Sequence, residues 1–119
     1  METTNFRSDR HFTIGDFLIS HGQLLIRSAK TSEEKVNIDL QFFDVNYLQI
    51  PTVFNGISIE KITAADEILK YPSIQKKLSY KDNHLFEITS NNEKYLIAAS
   101  FFKVVENELD FNETSLGYK

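Results

Sequence analysis

The chain has 119 residues, a formal net charge of −4 and no cysteine. Its length fits a single domain that buries about two-thirds of its unfolded surface, and the absence of cysteine excludes disulfide scaffolds, zinc ribbons and thiol nucleophiles. Lys and Arg nowhere cluster beyond the pair Lys76-Lys77, so the concentrated basic surface that nucleic acid requires is missing and no nucleic-acid partner is expected.

The first ten residues, Met1 to Arg10, are polar and mixed in charge. They read as a frayed terminus with no apolar segment of the signal-peptide kind. From residue 12 to residue 62 the pattern is that of a five-strand meander. Asp16 to Ser20 and Gln23 to Ser28 form the first two strands, joined by a tight turn in which Gly22 takes a left-handed conformation. Ala29 to Lys35 is a polar connection. In Val36 to Phe42 the apolar residues Val36, Ile38, Leu40 and Phe42 alternate with Asn37, Asp39 and Gln41. Period-two alternation marks a strand with one buried and one wet face, which predicts a solvated Asp39.

Tyr47 to Ile50 is a fourth strand, ended by Pro51, which cannot donate to a ladder. Asn55-Gly56 reads as a turn that launches a fifth strand over Ile57 to Ile62. Residues 63–80 read as helical, with Thr63 near an N-cap, an interruption at Tyr71-Pro72, and Pro72 at the first position of a second short helix. Residues 84–105 form a final hairpin that turns at Asn91-Asn92. Its second arm, Lys94 to Val105, is apolar on both faces and reads as a central strand. Residues 106–119 make an acidic tail with Leu109, Phe111 and Leu116 as candidate anchors.

With 41% apolar content and ten Phe residues, the core is expected to be of β-forming side chains. The architecture predicted is a single α+β domain over residues 1–119. It is a predominantly antiparallel β-sheet of about seven strands, curled into a roll or open barrel, with one helical segment inserted before the last hairpin. The longest apolar stretch, Tyr95 to Val105, falls short of the roughly 20 residues a membrane helix needs. A cytoplasmic protein without a membrane partner is the expectation.

Chemistry-bearing motifs are scarce. His11, His21 and His84 lack the spacing of a metal pair, so no metal ligand is assigned. Four glycines do not build a phosphate-cradling loop, no Gly-x-Ser-x-Gly elbow occurs, and neither cofactor nor catalytic residue is assigned. Asn112-Glu113-Thr114 matches a glycosylation acceptor, read as chance in a protein that is not exported. His21, Arg27 and Asp39 are the candidate ligand-site residues, at the mouth of the roll. Phe43 and Tyr47 are the candidate interface residues, on the assumption that both face outward.

The function expected from this pattern is a non-enzymatic protein-interaction domain of bacterial type, immunity- or adaptor-like, whose partner is another protein or a second copy of itself. The alternative is a small-ligand binder or simple enzyme working at the mouth of the roll.

Overall fold

The computed structural model describes residues 3–63, 68, 70–78 and 82–117. Eight strands follow in chain order: β1 (Asn5–Leu18), β2 (Gln23–Ser28), β3 (Asn37–Phe43), β4 (Tyr47–Gln49), β5 (Val53–Ile62), β6 (His84–Ser90), β7 (Glu93–Ala99) and β8 (Phe101–Asn107). Helix α1 (Pro72–Leu78) lies between β5 and β6. All pairings are antiparallel, in the order β4-β7-β6-β5-β1-β2-β3-β8. The α+β architecture expected from the sequence is therefore present, with eight strands and α1 placed ahead of the last hairpin.

The sheet curls because three segments turn corners, and each corner has a local cause. β1 pairs with β5 through its first half and with β2 through its second. Its register against β2 shifts between Ile14 and Asp16. The extra residue is Gly15, where a Cβ would stand 3.2 Å from Leu25 Cδ2; a bulge of this kind bends the strand and increases its twist. The second corner is Asp44 to Asn46, between β3 and β4, with Asp44 at φ 55°. The third is Ser100, between β7 and β8. These two corners are stitched together. Ser100 N donates to Phe43 O at 2.9 Å, Asn46 N to Ala98 O at 2.9 Å, and Ser100 Oγ to Asp44 Oδ2 at 2.9 Å. The ends of the sheet, β4 and β8, thus meet their neighbours through continuous chain.

The inner face holds the main core. Phe12, Leu24, Ile26, Leu40, Phe42, Phe54, Ile57, Ile59, Phe86, Ile88, Ile97, Ala99 and Phe102 form one buried cluster. Phe42, Phe86 and Phe102 meet ring to ring at its centre, with centroids 5.1–5.9 Å apart. A smaller cluster of Ile74, Leu85, Leu96 and Ala98 lies where α1 covers the outer side of β6 and β7, with Tyr47, Ile62, Tyr71 and Leu78 packed around it.

Several expectations need correction. The five-strand meander stops at β3, since β4 pairs with β7 and β5 with β1. Residues 5–10 are not frayed but belong to β1, pairing with β5; Phe6 packs edge-on to Phe12 with centroids 6.2 Å apart and supplies the apolar anchor. Asn55-Gly56 is not a turn. β5 runs straight through it, and Gly56 at φ 79° faces the place where β1 carries an extra residue between Ser8 and His11. The long second arm is two strands: the corner at Ser100 reverses the alternation, so Ile97, Ala99 and Phe102 face the core and Phe101 faces outward. Asp39 is not solvated; its exposure is 0%.

The hairpin turns were more legible. Gly22 takes φ 60° after a 3₁₀ turn over Ile19–His21. Asn91 and Asn92 both have positive φ (52° and 63°), as a two-residue turn between twisted strands requires. Pro72 begins α1 as predicted, while most of 63–71 proposed as a first helix lies outside the described residues.

Candidate functional site: a gripped acidic turn

Residues on β2 and β3 alternate between the two faces of the sheet. Leu24, Ile26, Leu40 and Phe42 point into the core, so Arg27, Asn37, Asp39 and Gln41 stand on the outside. All four are nonetheless buried. The cover is the segment after β8: Leu116 is buried along with them, only 6% exposed.

Arg27 and Asp39 are cross-strand partners in the β2–β3 ladder and form a two-pronged ion pair. Arg27 Nε donates to Asp39 Oδ1 at 2.7 Å and Nη2 donates to Oδ2 at 2.8 Å. The planar fork of guanidinium against carboxylate suits such a pair. Asn107 Nδ2 donates to Asp39 Oδ2 at 2.8 Å. Burial pushes the Asp39 carboxyl towards a higher pKa, but the hydrogen bonds from Arg27, Asn107 and Ser115 and the charge of Arg27 outweigh it, so the group sits below the ordinary carboxylate value. The hydrogen bond to Asp39 raises the Arg27 guanidinium further, against the opposing effect of burial.

The remaining guanidinium nitrogen reaches the tail. Arg27 Nη1 donates to Glu113 O at 2.7 Å and to Asp110 O at 3.3 Å. Those carbonyls stand on either side of a tight turn, itself closed by Glu113 N donating to Asp110 O and Asp110 N donating to Glu113 Oε1, at 2.9 and 2.8 Å. Neighbouring side chains hold the flanks in the same way. Asn37 Nδ2 donates to Leu109 O at 2.8 Å and to Asn107 Oδ1 at 2.7 Å, Gln41 Nε2 donates to Ser115 O at 3.1 Å, and Lys30 Nζ donates to Glu108 O. The sheet thus grips the tail largely by its main-chain carbonyls. At the apex of the gripped turn the Phe111 ring is 91% exposed.

A second concave feature lies at the end of the sheet, where the β1–β2 turn meets the β3–β4 corner. It is a depression of about 480 Å³ bordered by Ser20, His21, Gln23, Phe43, Asp44 and Phe101, among others. Val45 N donates to Gly22 O at 2.8 Å and ties turn to corner. Phe43 and Phe101 stack with centroids 4.7 Å apart, and Lys103 Nζ sits 5.4 Å from the Phe43 centroid. Ile19, at the rim, is 79% exposed.

Of the predicted ligand-site residues, Arg27 and Asp39 come together and His21 does not join them. His21 is exposed beside the terminal depression. Arg27 lies four residues beyond Gln23 along β2, a separation of about 13 Å at strand rise. Phe43 and Tyr47 also part company at the corner. Phe43 is half-buried against Phe101, and Tyr47 packs in the cluster beneath α1. Phe101, Asn37, Gln41 and Phe111 were not singled out by the sequence as site residues. Of the three candidate anchors in the acidic tail, Leu116 is buried, whereas Phe111 is not an anchor but stands exposed. Among the described residues, no group of three His, Asp or Glu is placed to hold a metal ion, and no helix is long and apolar enough to cross a membrane. No protein family, curated protein or solved structure matches this chain.

Proposed function

We propose that this chain is a non-enzymatic protein-interaction domain. One observation carries the reading: the 91% exposed Phe111 ring is held out on a turn whose main chain is fixed by a buried ion pair. A single exposed apolar side chain on a mobile loop needs no explanation. One on a gripped turn is different, because a partner can bury it without first ordering the segment that carries it. Aromatic side chains are also the usual energetic centres of protein interfaces.

The test is site-specific photo-cross-linking in the cells that make the protein, with a benzophenone amino acid at position 111 and, in parallel, at position 19. A discrete heterologous adduct from position 111 is the expected result. Adducts from neither position would refute an interaction through these surfaces.

A second reading, a small polar ligand in the terminal depression, is favoured by Gln23. Its Oε1 is buried at the border of that depression without a hydrogen-bond partner among the described residues. A metabolite screen by thermal shift distinguishes the two readings: a ligand whose stabilisation is lost in Gln23→Leu but kept in Phe111→Ala supports this one.

A further inference from the structure

The structure also bears on which kind of partner the turn would meet, an inference that rests on the interaction reading above. Between residues 107 and 118 the chain carries Glu108, Asp110 and Glu113 and no Lys or Arg; Glu106, paired with the core-facing Ile38, points to the other face of the sheet. All three carboxylate residues are exposed. Two cations touch this segment: Lys30, whose Nζ lies 3.7 Å from Asp110 Oδ1, and Arg27, which binds the turn's carbonyls and whose charge is matched by Asp39. Phe111 therefore projects from an acidic collar. The sheet holds the turn by its carbonyls, and the Glu113 carboxylate closes it on Asp110 N; the Glu108 and Asp110 side chains remain exposed.

We propose that the Asp110–Glu113 turn is the docking element of this domain, and that it inserts the Phe111 ring into an apolar pocket of a partner protein rimmed by Lys and Arg side chains. The ring supplies the buried anchor. The collar steers encounter and rejects acidic competitors. The Arg27–Asp39 pair acts from behind as a positioning device, since it touches the turn's backbone and leaves the Phe111 ring clear. A second copy of the chain is a poor occupant on grounds of charge: each copy carries −4 overall, and the terminal depression that could receive the ring includes Asp44.

The experiment uses the full chain with benzophenone at position 111 in lysate of its own cells, and adduct yield as the readout. Three samples are compared: the parent, a variant with Glu108→Lys, and a variant with Arg27→Met and Asp39→Leu. The first variant alters the collar at an exposed position outside the turn; the second removes the grip while leaving an apolar pair in its place. The proposal expects one heterologous adduct whose yield drops at least about five-fold in the charge-reversed variant and when ionic strength rises from about 0.02 to about 0.5 M. It also expects a comparable drop in the second variant, with the sheet still folded by circular dichroism, and a cross-linked peptide bordered by Lys and Arg. A heterologous adduct indifferent to charge and salt would overturn the basic-rimmed pocket while leaving the interaction reading standing. An adduct with the mass of two copies would overturn the choice of partner. No adduct from position 111 would overturn this docking element, and if position 19 is also silent the interaction reading falls with it.

Discussion

Arg27 and Asp39 are expensive side chains to remove from water, and their pairing offsets that expense without making them the cheapest solution. Buried ion pairs replaced by apolar residues of similar volume commonly leave a protein equally stable or more so, whereas removing one partner strands a charge. Asp39→Ala should therefore lower stability by about 3–5 kcal/mol, measured by urea denaturation. Arg27→Met combined with Asp39→Leu should cost far less than that. If the double replacement proves as damaging as the single one, the pair is a stability element and its role in holding the tail is secondary. The same residues set an acid limit. Because the folded Asp39 carboxyl lies below its ordinary value, its contribution is present in full above about pH 5 and is lost as pH falls below about 4 towards the folded value. Between pH 6 and pH 3 the parent should lose more stability than the doubly apolar variant, which has no such group to protonate. Equal losses would show that Asp39 is not the responsible carboxylate.

At the scale of elements, the corners decide which side chains reach the core. An uninterrupted strand from Lys94 to Val105 would put Ile97, Ala99 and Phe101 on one face. The break at Ser100, held by Phe43 O and Asp44 Oδ2, exchanges Phe101 for Phe102. Phe102 is fully buried between Phe42 and Phe86, while Phe101 stacks on Phe43 outside. Phe102→Ala should thus cost about 3–5 kcal/mol. Phe101→Ala should cost clearly less, about 1–2 kcal/mol for the lost stacking and partial burial. The reverse order in urea denaturation would mean that the alternation runs unbroken through Ser100. Nothing in the local sequence announces this corner, because its partner atoms lie more than fifty residues away in Phe43 and Asp44. The Asn91-Asn92 turn and Pro72 at the start of α1 were legible for the opposite reason: their conformations are set by the residues themselves.

At the scale of the whole molecule, the sequence disclosed the fold class and concealed the site. Alternation along β3 showed which residues face inward, and Leu40 and Phe42 are buried as that pattern requires. It also implied that Asp39 faces water, which is the correct face and the wrong environment. The cover comes from a segment 68–86 residues further along the chain, as the bonds from Asn107 Nδ2 to Asp39 and from Arg27 Nη1 to Glu113 O show. Leu116 was legible as a candidate anchor and is buried, but the grip itself was not, because side chains on the sheet bind the tail's carbonyls and carbonyls are common to every residue type.

Amide hydrogen exchange followed by NMR reads the grip on this tail one amide at a time. Glu113 N–H and Leu116 N–H should exchange slowly in the parent, held by Asp110 O and Thr114 Oγ1 and covered by the contacts to Arg27 and Gln41. In the Arg27→Met, Asp39→Leu variant these two amides should speed up by at least about ten-fold, while the Leu40 and Ile97 amides stay protected. Free exchange of Glu113 and Leu116 in the parent, at the rate of an unstructured chain, would contradict the grip. The presented Phe111 turn would then have no physical basis.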